Sequence, residues 1–311
     1  MRIKVVGSAA GGGFPQWNCN APLSSAVRSG KSGFRARTQS SIAASADGAS
    51  WALFNASPDI RQQIAENPEL APAADAPLRS TPISCVILTN ADVDHIAGLL
   101  TLRERQPFTL YATRRVMEVL DANPIFKVLN PEYVERRLLE LGSKIELEGP
   151  DGKIGLEIDT FAVHGKVALF MEKEGQTTGN FGTEDGDTVG IGIRTSGSQD
   201  IAYYIPGCAA VDEILLARID GASCLLFDGT VYTDDEMQKT GVGEKTGARM
   251  GHMYMSGEGG SMEALADVNL GQRIFVHINN TNPVLEEGSR EEQDVTSRGW
   301  KIAYDGMEVR V

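Results

Sequence analysis

The sequence predicts an α/β chain of the α+β kind, arranged as a four-layer αββα sandwich in a single domain over residues 1–311. Three observations carry this expectation. Short strand-like runs recur in both halves with helical patterns between them, which fits two packed sheets covered by helices and not one parallel sheet. The 311 residues, 41% of them apolar, are ample for a sizeable core, and 34 glycines suit a chain rich in turns. Polar, chemistry-bearing residues recur directly after strands, at 55–59, 90–95, 207–208, 228–230 and 277–282. Loops at one rim of a rigid scaffold carry chemistry in this way.

In chain order, the strand-like runs are "RIKVVGSA", "QSSIAASA", "WALFNAS", "ISCVILTN", "FTLYAT", "KIELE", "GLEIDTFAVHG", "TVGIGIRT", "IAYYIPG", "CLLFDGTV", "RIFVHINN" and "WKIAYDGMEVRV". Helical patterns fall at "PDIRQQIAEN", "HIAGLLTLRER", "TRRVMEVLDA", "PEYVERRLLEL", "VDEILLARID" and "SMEALADV". The rival arrangement, two domains, would place a sparsely contacted linker near residues 140–155. The loop "GSAAGGG", 7–13, follows the first strand but lacks both the G-x-G-x-x-G spacing and a helix start, so its glycines read as a tight turn with close backbone approach. The opening "MRIKVVGSAAGGG" is a strand and a glycine loop, not a signal peptide, and no apolar run reaches membrane-spanning length. A cytoplasmic protein without membrane insertion is the expectation.

The net charge of −13 argues against nucleic acid as a partner, because binding a phosphate backbone needs clustered Lys and Arg. Cys19, Cys85, Cys208 and Cys224 lie far apart, and Cys85 and Cys224 sit in apolar runs where a buried reduced thiol is the ordinary reading.

The stretch "TNADVDHIAGL", 89–99, follows the run "ISCVIL" and leads into a helical pattern. In that setting hydrolases of the metallo-β-lactamase fold carry H-x-H-x-D-H, the ligand loop of a two-metal site. Here Asn90 and Asp92 stand at the two leading histidine positions, and Asp94 and His95 remain. The chain has four histidines, too few for a two-zinc hydrolase of that kind. Asp94, His95 and His277, which ends the strand "RIFVH", can still hold one metal as a facial triad of the non-haem Fe(II) type. Two alternatives stand beside this: Asp94 capping a helix against which His95 packs, and His277 as a core histidine. His252, in "TGARMGHMYMSG", is a candidate acid/base, supporting residue or fourth ligand, and equally a simple loop histidine. His164, in "FAVHGK", ranks low, because its partner acid in a G-D-T turn is here Gly207-Cys208.

Taken together, "GSAAGGGFPQWNCN", "RTQSSIA", "NASPDIRQQI", "DVDHIAGLLTLRE", "IPGCA", "LLFDGT", "DDEM", "TGARMGHM", "HINNTNPVL" and "DGM" resemble the coenzyme PQQ (pyrroloquinoline quinone) synthesis protein B family over the whole chain. The resemblance implies the metallo-β-lactamase fold and a part in bacterial PQQ biosynthesis. It further implies an iron-dependent hydroxylase acting on the tyrosine of a Glu-Tyr precursor or, alternatively, a carrier of PQQ or its precursor to the periplasm. It implies a single Fe(II) site on Asp94, His95 and His277, which other divalent metals can enter in a crystal. Asn90, Asp92, Cys208, Asp228 and His252 are expected around that metal. The ligand is anionic and the chain acidic, so Arg249 and Lys245, then Arg61, are expected to bind substrate with Ser57, Asp59 and Asn280. Expected partners are the small-molecule or dipeptide precursor, O2 and other proteins of the pathway, with a homodimer left open. One departure stands out: the family's W-N-C-x-C-x-x-C zinc site keeps Cys19 but has Ala21 and Ser24 at the next two positions, so a structural zinc is not expected. A zinc hydrolase is the least favoured class, for want of histidines.

Overall fold

The computed structural model describes residues 1–171 and 185–311. Its strands divide almost by halves of the chain. β1 (Arg2–Gly7), β2 (Ser41–Ser45), β3 (Trp51–Phe54), β4 (Ile83–Ile87), β5 (Phe108–Thr113) and β6 (Val134–Leu139) build one sheet in that order. β7 (Lys144–Gly149), β8 (Gly152–Ala162), β9 (Val189–Thr195), β10 (Ala202–Ile205), β11 (Cys224–Asp228), β12 (Gln272–Val276) and β13 (Trp300–Ile302) build the other. The last strand, β14 (Glu308–Arg310), returns to the first sheet beside β1. Within each sheet one end is antiparallel, while β3 to β6 and β10 to β13 run parallel.

Side chains alternate across these strands with period two, and both faces of each sheet are covered. Ile3, Val5, Phe54 and Ile87 point inward and meet Leu156, Ile191, Leu226 and Val276 of the facing sheet. Trp51, Leu53, Val86 and Leu110 point outward and pack under the helices that carry Ile60, Leu99, Val116 and Leu120. On the far side Leu225, Phe227, Phe275 and Trp300 pack under Leu215, Ile219, Leu265 and Val295. Three apolar layers between four structural layers make the αββα sandwich, as the sequence predicts. Segment 140–155, where a linker would lie, is packed across the sheets. The Tyr111 hydroxyl bonds both the N–H and the C=O of Glu148, each at 3.0 Å, and a Cβ on Gly149 would stand 2.6 Å from the Ser84 side chain. Among the described residues no helix is long and apolar enough to cross a membrane.

Two expectations need correction. Segment 131–141 is not a helix; its centre is β6, an edge strand in register with β5. Its Glu, Arg and Leu residues favour a helix locally, but pairing with β5 buries Val134 and Leu139 and leaves Glu135 exposed at the edge. The final run, 300–311, is two strands in different sheets. Asp305 breaks it by accepting hydrogen bonds from the Ser8 N–H (2.9 Å) and hydroxyl (2.7 Å) and from the Thr38 N–H (2.6 Å) and hydroxyl (2.7 Å). The helices Pro22–Arg28 and Arg290–Ser297 were not anticipated. The second carries a readable signal, Ser289 accepting from the Glu292 N–H at 3.0 Å in "SREE".

The pattern at 95–105 is a short helix, Val93–Ile96, followed by a 3-10 turn, Ala97–Leu100. Gly98 explains its close seat on the loop after β3. Its N–H donates to the Ala56 carbonyl at 2.8 Å, and a Cβ there would stand 2.1 Å from the Ser57 carbonyl oxygen. Gly98→Ala should therefore destabilise the protein by about 1–3 kcal/mol, as overpacking does. Urea denaturation reads this directly, and an unchanged midpoint would show that the loop yields freely.

Candidate metal centre

The polar residues anticipated after strands leave the carboxyl ends of β3, β4, β10, β11 and β12, all in the parallel parts of the two sheets. Side chains and backbone from both sheets therefore meet along one rim, where open α/β sheets bind ligands. The glycine loop stitches that rim together: the Ala10 N–H donates to the Ile278 carbonyl and the Ile278 N–H to the Ser8 carbonyl, each at 2.9 Å. Gly12 has φ 92° and donates its N–H to Gln39 Oε1 at 2.9 Å. The Gln39 N–H and Nε2 in turn donate to Asp59 Oδ2, at 2.9 and 3.0 Å. Gly11 is thereby laid against the site, where an added Cβ would stand 3.4 Å from Asp94 Oδ2.

Asp94 and His95 lie on the helix entered from β4. Asn90 shapes that entry, because its Oδ1 accepts from the Asp92 N–H at 2.9 Å and from His95 Nδ1 at 2.7 Å. With the proton on Nδ1, His95 presents the lone pair of Nε2. That nitrogen is buried and has no hydrogen-bond partner among the described residues. Asn55, at φ 64°, fixes the neighbouring strand end by accepting from the Thr89 N–H at 2.9 Å and donating to the Thr89 hydroxyl at 2.9 Å.

His277 arrives from the other sheet with φ 57°, a left-handed backbone that a residue with a Cβ adopts only at a cost. Its Nε2 lies 3.2 Å from Asp94 Oδ2, while His95 Nε2 lies 3.8 Å from the same oxygen. The ligand atoms of Asp94, His95 and His277 all lie within 4.8 Å of one another. A carboxylate, two imidazoles and an unpartnered buried nitrogen fit one divalent metal ion. Electrostatics agrees. Burial would raise the Asp94 carboxyl, but His95 and the hydrogen bond from His277 outweigh it and hold it below the usual carboxylate range. Burial keeps His95 below its usual value, so it is neutral and ready to ligate. Burial would lower His277 too, but the hydrogen bond to Asp94 outweighs it and raises it.

A second set lies alongside. Asp228, fully buried at the end of β11, accepts from the Thr230 N–H (3.0 Å) and hydroxyl (2.6 Å), from the Cys208 N–H (2.8 Å) and from His252 Nδ1 (2.6 Å). The His252 ring stacks on His277 with centroids 5.0 Å apart. Thr230, part of the polar stretch 228–230 but assigned no role from sequence, also meets His277 Nδ1 at 2.8 Å. Cys208 contributes its backbone N–H; its buried thiol faces the Ala210 carbonyl at 3.1 Å, and burial pushes it up.

The substrate-binding expectations divide. Ser57 is fully buried, its hydroxyl donating to Gln63 Oε1 at 3.0 Å and accepting from the Asp59 N–H at 3.2 Å, so Ser57 and Asp59 build the loop instead of facing a ligand. Arg61 is exposed on the helix Ile60–Glu66. Asn280 is buried and donates to Gln16 Oε1 at 2.5 Å. Arg249 and Lys245 are half-buried on the segment that leads to His252. Asp92 lies 3.9 Å from Lys166 Nζ. His164 is 59% exposed and pairs with Asp212 at 2.9 Å, beside a separate surface cavity of about 440 Å³.

Metal must displace the proton shared by His277 and Asp94, so affinity should be full above the raised His277 pKa and fall below it. The slope expected is about tenfold per pH unit for each proton displaced. Competition titrations between about pH 8 and about pH 6, the histidine range, measure it. An affinity flat with pH would remove His277 from the ligand set.

Residues 50–278 match the family described as beta-lactamase superfamily domain. The chain is 52% identical to the coenzyme PQQ synthesis protein B of Methylobacterium radiotolerans, over 99% of both chains. It is 49% identical to the protein of that name from Rhizobium meliloti, over 100% of this chain and 98% of that one. Its fold superposes on the crystal structure of Zn2+-bound PqqB from Methylobacterium extorquens with TM-score 0.93 at 50% identity, covering 100% of both chains. A diphosphatase of the PhnP family, 19% identical with TM-score 0.67 over 99% of this chain and 97% of that one, shares the fold alone. With these relatives matched from end to end, the chain belongs to the coenzyme PQQ synthesis protein B family of the metallo-β-lactamase fold.

Proposed function

We propose that this chain is a cytoplasmic enzyme of pyrroloquinoline quinone biosynthesis, an Fe(II)- and O2-dependent hydroxylase of the tyrosine ring in a Glu-Tyr-derived precursor. The observation that carries the reading is the group Asp94, His95 and His277, with His95 Nε2 buried and unpartnered. Fe(II) held there would supply a redox-active centre with open positions for O2 and substrate, which zinc, lacking redox chemistry, would not. A relative crystallised with zinc accords with this, since such donors accept several divalent metals.

The residues divide the work. Asp94, His95 and His277 hold the ion. Asn90 keeps the His95 ring turned so that Nε2 faces it. His252 lies on the open side, its side chain 15% exposed against 2% for His95 and 6% for His277. With Nδ1–H engaged by Asp228, His252 keeps Nε2 to accept a proton from the substrate phenol. The carboxylates of a Glu-Tyr ligand must be bound on a chain of charge −13, and Arg249 and Lys245 on the approach to His252 are the cations for it.

Anaerobic loading with Fe(II), followed by air, a Glu-Tyr peptide and a reductant such as ascorbate to supply the two electrons that take the second oxygen atom to water, should give a product heavier by one oxygen in the tyrosine ring, read by mass spectrometry. Fully loaded protein that binds the peptide and returns it unchanged would defeat the hydroxylase and favour a carrier. Arg249→Ala should weaken peptide binding by about 1.5–3 kcal/mol, the range for a hydrogen bond to a charged group, and leave the metal content unchanged. Unaltered affinity in that variant would place the carboxylate elsewhere.

A further inference from the structure

Asp228, His252 and His277 also bring ligand atoms within 4.8 Å of one another and so resemble a second metal site. Counting lone pairs excludes it. A carboxylate has about four lone-pair positions. Asp228 fills two on Oδ1 with the Thr230 N–H and hydroxyl, and two on Oδ2 with the Cys208 N–H and His252 Nδ1. No lone pair is left for a cation, and the group is a hydrogen-bond relay.

The direction of the relay follows from the Thr230 hydroxyl, which has one hydrogen and four polar neighbours. These are Asp228 Oδ1 at 2.6 Å, His277 Nδ1 at 2.8 Å, and His252 Nδ1 and the His277 carbonyl oxygen at 3.1 Å. The ionised carboxylate is both the strongest acceptor and the closest, so the hydrogen points to Asp228. The hydroxyl oxygen then has lone pairs only to offer, and His277 must bring the proton on Nδ1. Nε2 of His277 faces Asp94 Oδ2 at 3.2 Å, and once a metal ion displaces the proton shared there, Nε2 is the nitrogen left bare to ligate.

The geometry points to Thr230 as the positioning residue that decides which nitrogen His277 offers to a metal ion. Its hydroxyl couples the buried charge of Asp228, through Nδ1–H, to the ligand nitrogen on the far side of the ring. The inference rests on the metal-site reading above and adds to it a specific residue, Thr230, and a specific atom, Oγ1. Such outer partners orient a ligating histidine and raise its basicity, and their loss costs 10- to 100-fold in metal affinity, roughly. Valine has threonine's shape without its hydroxyl, and serine keeps the hydroxyl.

The test titrates Co2+ alone into the full chain, following its visible absorption. The unsubstituted protein and Thr230→Ser should each bind one ion with similar affinity. Thr230→Val should bind about 10- to 100-fold more weakly, with altered absorption bands. Thr230→Val binding as tightly as the unsubstituted chain overturns the inference and leaves the metal site standing. Failure of the unsubstituted protein to take up Co2+ overturns the metal site, and the inference with it. Should Thr230→Val not fold, the unsubstituted protein loaded with Zn2+ decides alone, by long-range proton–nitrogen NMR of its histidine rings. His277 should carry its proton on Nδ1, and a proton on Nε2 overturns the inference.

Discussion

A carboxylate oxygen and an imidazole nitrogen, each brought by a different sheet, face one another at 3.2 Å where the two rims meet. Buried acceptors held that close need a positive charge between them, a proton or a metal ion, because an isolated buried charge is costly. Much of the rim is explained by holding Asp94 and His277 in this opposition. The glycine loop crosses the seam to bond both sheets, and Gly11 leaves room for the Asp94 carboxylate. His277 adopts a left-handed φ of 57° so that its ring reaches over from β12.

The imidazoles around this centre are each turned by a polar partner on the Nδ1 side. Asn90 does so for His95, Thr230 for His277, and Asp228 for His252. This explains the loss of the leading histidines from the loop after β4. Asn90, at a position where the lactamase loop has a ligand, has become the group that orients the neighbouring ligand. The exchange removes two donors of a two-metal loop and leaves the Asp94, His95 and His277 group, which fits one ion.

The strands were legible because both sheets are covered on both faces and their apolar runs are unmistakable. The loop 89–99 was legible because Asp94 and His95 keep their spacing within a recognisable strand–turn–helix setting. Segment 131–141 was misread because its side chains favour a helix while the open edge of β5 supplies the pairing that decides its state. Ser57 and Asp59 read as functional because they are polar and follow a strand, yet their bonds to Gln63 and Gln39 hold one loop to another. Thr230 fell within the polar stretch 228–230, but its role was not legible there, for the opposite reason. Its bond to His277 spans 47 residues, and a lone threonine after "FDG" carries no local sign of a partner so distant.

The central claim is that Asp94, His95 and His277 hold one metal ion and that Asp228 and His252 hold none. Anomalous scattering at the iron edge, from crystals grown and loaded with Fe(II) without air, tests it most directly. The account predicts one peak per chain, about 2.0–2.2 Å from Asp94 Oδ2, His95 Nε2 and His277 Nε2, the usual range for such bonds. A peak bonded to Asp228 or His252, or two peaks in one chain, would contradict it.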